Sequence, residues 1–447
     1  MTGTVDPEVT VSKSVLSGEE GRVVARIQEG RDELTALVGE LIACDTTARD
    51  PGDPARDEEK LQNTLATRLR AIGAEVELFE AEPIAAGQSP TIPFALDFKG
   101  RPQLIARLRG SGGGRSLVLN GHIDAVPPGD TSQWSSDPFK AEIRDGQLYG
   151  RGANDMKGGI ADFLFALECL HREGISLKGD IVFCTNTDEE SSGAGALALI
   201  EKGVSGDAGM CAEPTGFDAW IACRGYLIFS VTLRGRAGHA EMRMPHWREG
   251  GAVNAIDRLE VVLGAFRRLR EDWRTRPDHQ HPLLSPGDLV PAQVAGGEWP
   301  VTYPARVSLT CDAQYLPVHV GAGGYGQPVR DEIMTCLNAA AASDPWLAEH
   351  PLEFDFLAEA VPAEIPRDHP LVVTALQATA DVGRVGKIGA LDSWHDPASF
   401  VRAGTPMFSF GPGGAETAHA VDERVPVADL LDHCAATALA AMRFCGT

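Results

Sequence analysis

The segment Met156–Glu190, MKGGIADFLFALECLHREGISLKGDIVFCTNTDEE, contains the two elements that decide the fold class. Its first part has apolar residues at a 3.6-residue spacing, which predicts a helix that begins near Met156 and ends at Gly174. The run GDIVFCTNT that follows predicts a buried strand. Three acids, Asp188, Glu189 and Glu190, come directly after this strand. Because like charges repel one another, a compensating positive charge is expected nearby.

The segments on either side continue this alternation of helices and strands. Residues 20–43 predict one amphipathic helix, and residues 58–73 predict a second helix that is closed by Gly73. Apolar runs predict strands at 75–81, 103–110 and 115–124, and residues 193–203 predict a further helix. Such alternation predicts an α/β domain with a mixed, largely parallel sheet flanked by helices.

The pattern changes near Ala222. From there to residue 358, the sequence predicts a strand, a long helix, two strands, a helix and a last strand. This order is that of a ferredoxin-like α+β unit. Helix and strand patterns resume after residue 359, so we expect a discontinuous α/β domain, residues 1–221 and 359–447, interrupted by a smaller domain at 222–358.

Composition excludes several classes of function. The net charge of −23 disfavours nucleic acid as a partner. No apolar run reaches the roughly 18 residues of a membrane span, and the polar N-terminus lacks the apolar core of a secretory signal. Nine cysteines occur without a CxxC pair, and most lie in apolar contexts. Reduced, buried thiols in a cytoplasmic protein are therefore expected.

Metal-binding residue types recur in five places in the larger domain, and each place follows an apolar strand. They are His122 with Asp124, Asp155, Glu189 with Glu190, Glu213, and His419. Ligands bind at the strand ends of parallel sheets. The HxD spacing of the first pair lets Asp124 accept the second ring N–H of a metal-bound imidazole.

Imidazoles among several carboxylates predict a pair of divalent cations. Two cations about 3.5–4 Å apart neutralise clustered acids and activate water for hydrolysis. Mixed histidine and carboxylate ligation suits zinc, with cobalt or manganese as alternatives.

Taken in order, the motifs GHIDAVPPGD, GQLYGRGANDMKGG, TDEE, AEPT and GPG…AH resemble the M20 family of metallopeptidases and deacylases. The resemblance covers nearly the whole chain, including the inserted domain, which would be a lid. It implies that Asp155 bridges two metal ions, that His122 and Glu213 complete one site, and that Glu190 and His419 complete the other. Glu189 would be the general base and then the general acid, with Asp124 behind the ligands.

The resemblance also implies a homodimer through the lid. The segment LRGRAGHAEMRMPHWREGG resembles the family segment in which a lid histidine, here His239, reaches the active site across the dimer. Its expected role is to stabilise the oxyanion of the tetrahedral intermediate.

Some positions depart from the family pattern. Gln314 stands where amino-acid-specific members carry an arginine that grips the substrate carboxylate, and an amide cannot replace that charge. In LDSWHDPASF, Trp394 and His395 are expected to line the substrate pocket, and Asp396 to fill the usual acidic position. Arg248 is either an anion contact or a surface salt bridge. His279 and His281 have a spacing typical of metal ligands but are predicted to lie in a solvated loop.

These features predict a binuclear zinc amidohydrolase that cleaves a small N-acyl compound, with an acetyl, formyl or succinyl group, to a free amine and a carboxylate. A dipeptidase, aminopeptidase or carboxypeptidase would share the metals but needs a recognised peptide terminus. A non-catalytic metal-binding or scaffold protein is the third alternative. Such a protein should lack the base or a ligand, and the sequence retains both.

Overall fold

The computed structural model describes residues 13–48, 53–89 and 91–447. The start of the polar N-terminal stretch and the centre of the loop at 44–57 lie outside the described residues. Within them the α-helices are, in chain order, α1 (Gly18–Glu29), α2 (Arg31–Ile42), α3 (Glu58–Ala71), α4 (Lys157–Arg172), α5 (Ala194–Glu201), α6 (Ala255–Thr275), α7 (Gln327–Ala341), α8 (Pro370–Asp381), α9 (Pro397–Arg402) and α10 (Val427–Cys445).

The strands form three sheets. In chain order they are β1 (Glu75–Phe79), β2 (Gln103–Leu108), β3 (Leu117–His122), β4 (Glu142–Arg144), β5 (Gln147–Tyr149), β6 (Ile181–Asn186), β7 (Ala208–Cys211), β8 (Ala219–Cys223), β9 (Gly225–Arg234), β10 (Asp288–Gly296), β11 (Arg306–Tyr315), β12 (Glu353–Ala360), β13 (Ala363–Glu364), β14 (Ile388–Leu391), β15 (Met407–Ser409) and β16 (Arg424–Pro426). The smallest sheet has the order β16-β5-β4.

The largest sheet confirms the predicted α/β class. Its order is β1-β2-β6-β3-β7-β15-β8-β13, and β14 pairs with β8. The central strands β6, β3, β7 and β15 are parallel, whereas the pairs β1–β2, β2–β6 and β8–β13 are antiparallel. The sheet is therefore mixed, with adjacent parallel pairs at its centre and a further parallel pair, β8–β14, near one end.

Helix α4, predicted to have one apolar face, is buried on all sides. Every residue from Lys157 to Leu170 is buried, because the helix packs against β3, α2 and α10. The helix thus lies in the middle of the core, and its N-terminus is fixed at the carboxyl edge of the central strands.

The second sheet has the predicted ferredoxin-like order. Its strands run β10-β11-β9-β12 with antiparallel neighbours. Alternate residues of β9, such as Leu227 and Phe229, are buried with α6 and α7 in a hydrophobic cluster separate from that of the large sheet. The sheet spans Gly225–Ala360, close to the predicted 222–358, and we call this unit the lid.

The single helix predicted at 20–43 is wrong, because the chain breaks at Gly30 between α1 and α2. The break coincides with a close approach to α4: a Cβ on Gly30 would lie 2.5 Å from Cζ of Phe165. Glycine is also a poor helix former. The contact with α4 therefore accompanies a break at a residue of low helix propensity, although the apolar pattern alone predicts one continuous helix.

The cysteines are free thiols, as predicted, and all except the half-buried Cys336 are buried. Among the described residues, no helix combines the length and the apolar character that crossing a membrane requires.

Candidate metal centre

The central parallel strands bring most of the predicted ligands to one edge of the large sheet. His122 is the last residue of β3, Glu189 and Glu190 follow β6, and Glu213 follows β7. Because β3 lies between β6 and β7, the carboxyl ends of the three strands are adjacent. Asp155 precedes α4, whose N-terminus lies at the same edge.

Asp155 contacts both predicted imidazole ligands, one through each carboxylate oxygen. Its Oδ1 is 3.1 Å from Nε2 of His122, and its Oδ2 is 3.3 Å from Nε2 of His419. Oε1 of Glu190 lies 3.1 Å from the same His419 nitrogen. One ligand atom each from His122, Asp155 and Glu190 lie within 4.8 Å of one another. This arrangement places Asp155 between two groups of donor atoms.

Glu213 and Glu189 complete the cluster. Oε1 of Glu213 is 3.9 Å from Nε2 of His122. Burial, reinforced by neighbouring acids, raises the pKa of both Glu189 and Glu213 well above the usual value. Hydrogen bonds that the His419 ring donates to the carboxylates of Asp155 and Glu190 raise its pKa to about 10. The clustered carboxylates therefore create a negative potential that favours a bound positive charge.

Asp124 supports the cluster differently from the prediction. Nδ1 of His122 lies 2.9 Å from the main-chain oxygen of Asp124 and 3.7 Å from its carboxylate. The carboxylate instead accepts main-chain N–H groups of Glu189 (3.3 Å) and Glu190 (3.1 Å). Asp124 thus orients His122 through its backbone, and its side chain holds the turn that carries the two glutamates.

Arg101 supplies a positive charge next to Asp188, the first acid of the run. Oδ1 of Asp188 accepts a 2.5 Å hydrogen bond from Nη1 of Arg101, and both side chains are buried. Asp188 also takes a positive φ of 66°, which turns the chain so that the next two acids face the cluster. The first acid is therefore neutralised by arginine, and only the other two remain for a metal centre.

Glu423 is a buried acid that the sequence analysis did not single out. Its Oε1 accepts the main-chain N–H groups of Asn154 (2.9 Å) and Asp155 (3.0 Å). Its Oε2 accepts from Gly152 (3.1 Å) and from Arg151 (2.6 Å). Glu423 therefore fixes the loop that carries Asp155, and its only sequence signal was a position four residues after His419.

The cluster opens into a cavity of about 390 Å³. Acids Asp155, Glu189, Glu190 and Glu213 form its floor, and Trp394 and His395 line it as predicted. Trp220 and Tyr226 also line it, although no motif predicted a role for either residue. Burial lowers the pKa of His395 to about 3, so this ring is neutral, and its Nδ1 is 3.0 Å from Oγ of Ser409.

His239 is not among the residues that line this cavity. It is exposed on the lid, in an isolated bridge with Thr302, and its Nδ1 accepts the main-chain N–H of Glu241 at 3.2 Å. Asp396 is fully buried behind the cavity wall and accepts a 2.6 Å hydrogen bond from Asn186. Arg248 forms an exposed ion pair with Glu349, so of its two expected roles the surface salt bridge is observed.

The predicted solvated loop at His279 and His281 is wrong. His279 is buried between Trp273 and His319, with ring centroids 4.8 and 4.1 Å away. Nε2 of His281 lies 3.2 Å from Glu364. Aromatic packing by the neighbouring Trp273 and by the distant His319 outweighs the polar local sequence.

Residues 118–443 match the sequence profile of Peptidase family M20/M25/M40. The chain belongs to this family. As a member it is a metal-dependent hydrolase of amide C–N bonds. The match includes every residue of the cluster described above, as well as the lid.

Two named relatives of this M20 chain act on small N-acyl compounds. An N-formyl-4-amino-5-aminomethyl-2-methylpyrimidine deformylase from Halalkalibacterium halodurans is 27% identical, covering 92% of this chain and 94% of the relative. A succinyl-diaminopimelate desuccinylase from Gluconacetobacter diazotrophicus is 32% identical, covering 82% and 87% of the two chains.

Solved structures of M20 enzymes share the fold. Human carnosine dipeptidase 1 superposes with a TM-score of 0.69 at 18% identity, covering 96% of this chain and 99% of the other. The aminopeptidase PepT of Bacillus cereus gives 0.67 at 18% identity, with coverages of 92% and 99%. At this level of identity the likeness concerns the fold alone.

Proposed function

We propose that this M20 protein is a binuclear zinc amidohydrolase that removes the acyl group from a small N-acyl amine. The observation that carries the proposal is the position of Asp155 between His122 and His419, each within 3.3 Å of a different carboxylate oxygen. Donor atoms about 2.0–2.2 Å from a tetrahedral zinc ion lie about 3.3 Å apart. The spacing of these donors thus fits two ions that share Asp155, and cobalt or manganese would fit the same donors.

The residues would divide into two ligand groups. His122 and Glu213 would hold one ion, Glu190 and His419 the other, and Asp155 both. When bound, the ions would polarise the acyl carbonyl and make water more acidic. Glu423 and Asp124 keep the ligands in place without contacting the ions, since their oxygens are occupied by main-chain N–H groups.

Glu189 would move the proton during hydrolysis. Its side chain lines the cavity next to the ligand cluster. Burial raises its pKa above the usual range, so this carboxylate takes up a proton more readily than an exposed glutamate does. Glu189 would accept a proton from water as the water attacks the acyl carbon, and then donate it to the nitrogen of the departing amine.

The substrate is proposed to be a small N-acyl amine that needs no carboxylate anchor. Gln314 replaces the expected arginine, and its Nε2 donates to Asp312 at 3.0 Å. The named relatives remove formyl and succinyl groups from small amines. The acyl group of the substrate for this chain is therefore proposed to be formyl, acetyl or succinyl.

A substrate panel tests this proposal. A zinc-loaded preparation should hydrolyse N-formyl or N-acetyl amines with a kcat/KM at least about 100-fold above that for dipeptides, since the carboxyl terminus of a dipeptide would lack the arginine that Gln314 replaces. The panel should include N-succinyl amines and dipeptides assayed under the same conditions. Efficient cleavage of dipeptides, with none of the acylated amines turned over, would instead assign the chain a peptidase function.

A homodimer is proposed through the face of the lid that carries His239. The lid carries several exposed apolar side chains, Met242, Ile256, Val294 and Trp299. Two of them, Ile256 and Trp299, line one groove with Ala240, the residue after His239. Strand β10 is an edge strand, and its second half is exposed. An unpaired edge beside apolar side chains is a surface on which a second copy can pack. In the dimer, His239 would enter the cavity of the partner subunit and stabilise the oxyanion.

Mixed dimers test the role of His239. His239→Ala alone should lose about 10²–10³-fold in kcat while keeping its metal, as expected when one oxyanion donor is removed. Co-refolding it in equal amounts with a Glu189→Gln variant should restore about one quarter of the wild-type activity. About half of the dimers would then be heterodimers, and one of the two sites in each heterodimer would be complete. If mixing restores nothing although heterodimers form, the histidine is not donated across the dimer.

The free, mostly buried thiols suit a reducing compartment. The cytoplasm is therefore the proposed location of the protein.

A further inference from the structure

A second cavity, of about 400 Å³, extends from the metal cavity beneath the open face of the lid sheet. The two cavities share four lining residues, Ser191, Tyr226, Ser393 and Trp394. The far end of the second cavity is lined by Asp312 and Gln314 of β11 and by Phe94. A substrate whose acyl group lies at the metal centre would therefore extend its amine half towards β11.

The strand register brings the polar residues of this cavity together. Gln314 pairs with Tyr226, and Asp312 pairs with Ile228. Side chains alternate along a strand, and the intervening residue Ala313 is buried in the hydrophobic cluster of the lid helices. Asp312, Gln314 and Tyr226 therefore share the opposite face, which is directed towards the large-sheet domain.

Asp312 makes no salt bridge with the described residues that line the cavity, although the charge of Arg224 partly offsets the effect of burial on its pKa. Its Oδ2 accepts from Gln314, whereas Oδ1 is buried without a hydrogen-bond partner. Arg224 lines the same cavity, but its guanidinium donates to the main-chain oxygens of Asp392 and Pro286. The nearby Asp288 is paired with Arg270 at 2.5 Å. A desolvated carboxylate without a partner is costly, and burial raises the pKa of Asp312.

Aromatic side chains supply flat walls for this cavity. Trp394 lines both cavities, and its indole ring packs against the turn before α5, where a Cβ on Gly193 would lie 2.3 Å from Cη2. Tyr226 lines both cavities and lies between the metal cluster and Asp312. Burial, together with the charges of Glu189 and Asp312, raises its pKa to about 12, so the phenol keeps its proton. Planar rings between aromatic side chains gain stacking energy and, when charged, cation–π attraction.

We propose that the amine half of the substrate is a protonatable aminoheteroaromatic ring, which Asp312 and Gln314 bind by hydrogen bonds between these aromatic walls. The carboxylate accepts N–H groups from the protonated ring. The amide oxygen of Gln314, whose nitrogen donates to Asp312, accepts from the amino substituent. This inference rests on the proposed deacylase function and adds the substrate class. It also predicts that N-acyl amino acids are poorer substrates, because their carboxylate would lie near Asp312 while the guanidinium of Arg224 donates to main-chain oxygens.

Matched substrates and an isosteric variant test the proposal. The probes are N-formyl-4-amino-5-aminomethyl-2-methylpyrimidine and N-formylbenzylamine, which differ in the ring, with N-formylphenylglycine as the acidic analogue. Wild-type holoenzyme should prefer the pyrimidine. Asp312→Asn should lower kcat/KM for the pyrimidine about 10- to 100-fold, mainly through KM, because a charge-assisted hydrogen bond is lost. Turnover of N-formylbenzylamine should change less than about threefold, which also shows that the variant folds.

Asp355→Asn is the matched control, because Asp355 is an exposed acid on β12 of the same sheet and does not line the cavity. It should leave all three kcat/KM values unchanged. An equal loss for pyrimidine and benzylamine substrates in Asp312→Asn, or no loss for either, would overturn the inference while leaving deacylation intact.

Binding of the free amines separates this inference from the proposed function. Calorimetry with 4-amino-5-aminomethyl-2-methylpyrimidine and with benzylamine compares two ligands that carry the same aminomethyl cation. Wild type should bind the pyrimidine about 10-fold or more tightly than benzylamine, and Asp312→Asn should lose this difference. Equal binding of both amines by wild type contradicts the ring pocket. A protein that binds the pyrimidine selectively but hydrolyses no N-acyl amine contradicts the deacylase function alone.

Discussion

Glu189→Gln should reduce kcat by about 10⁴-fold or more while the protein keeps its metal and its fold. A general base contributes about 10²–10⁴ to the rate, and this residue is also expected to protonate the departing amine. Glutamine has nearly the same shape but cannot accept the proton. Because Glu189 lines the cavity rather than contacting Asp155 or either histidine, metal content should remain that of wild type. Steady-state kinetics and elemental analysis on one preparation measure both quantities.

Glu201→Gln provides the matched control for that variant. Glu201 is an exposed acid at the end of α5, in the helix that follows the acidic run. The control should retain wild-type turnover. Near-normal turnover by Glu189→Gln would show that another group is the base, and loss of metal from it would show that Glu189 is a ligand.

Removal of divalent cations should abolish hydrolysis, and added zinc or cobalt should restore it. Bound ions contribute several kcal/mol of transition-state stabilisation, so the metal-free protein should fall below about 10⁻³ of the original rate. The fold should survive, because Arg101 neutralises Asp188 and main-chain N–H groups satisfy Asp124 and Glu423 without metal.

Dialysis against EDTA, followed by circular dichroism and then titration with zinc, measures this prediction. Activity should return as the second equivalent of zinc binds per chain. Full activity in protein from which elemental analysis finds no metal would defeat the mechanism. Loss of activity together with loss of the circular dichroism spectrum would indicate that the metal has a structural role instead.

The candidate ligands could be predicted from the sequence because each follows an apolar run. Three of them, His122, Glu190 and Glu213, lie at or just after the ends of three strands that are parallel neighbours. The carboxyl ends of parallel strands lie at the same edge of a sheet. The individual roles given to these residues remain predictions until the variants are measured.

Contacts between distant segments could not be predicted. Arg101 and Asp188 are 87 residues apart, and no local pattern pairs them. The polar segment around His279 is buried because His319, from a distant part of the chain, packs on it together with the neighbouring Trp273. The break at Gly30 likewise depends on Phe165. In each case the deciding partner lies outside the window in which a periodic pattern is recognised.

The second cavity shows the same limitation. Gln314 could be identified because it stands where an arginine is expected, but no motif pointed to the nearby Asp312. Its importance depends on the register of β11 against β9 and on the alignment of that face with Trp394 of the large domain. Register follows from the buried face of a sheet, which the sequence of one strand does not specify.

Anomalous X-ray diffraction at the zinc edge, from crystals of the zinc-loaded protein, can locate the two proposed ions. We expect two anomalous peaks, about 3.5–4 Å apart, one on each side of Asp155, with His122 next to one peak and His419 next to the other. A single peak, or two peaks that do not share Asp155, would contradict the binuclear centre.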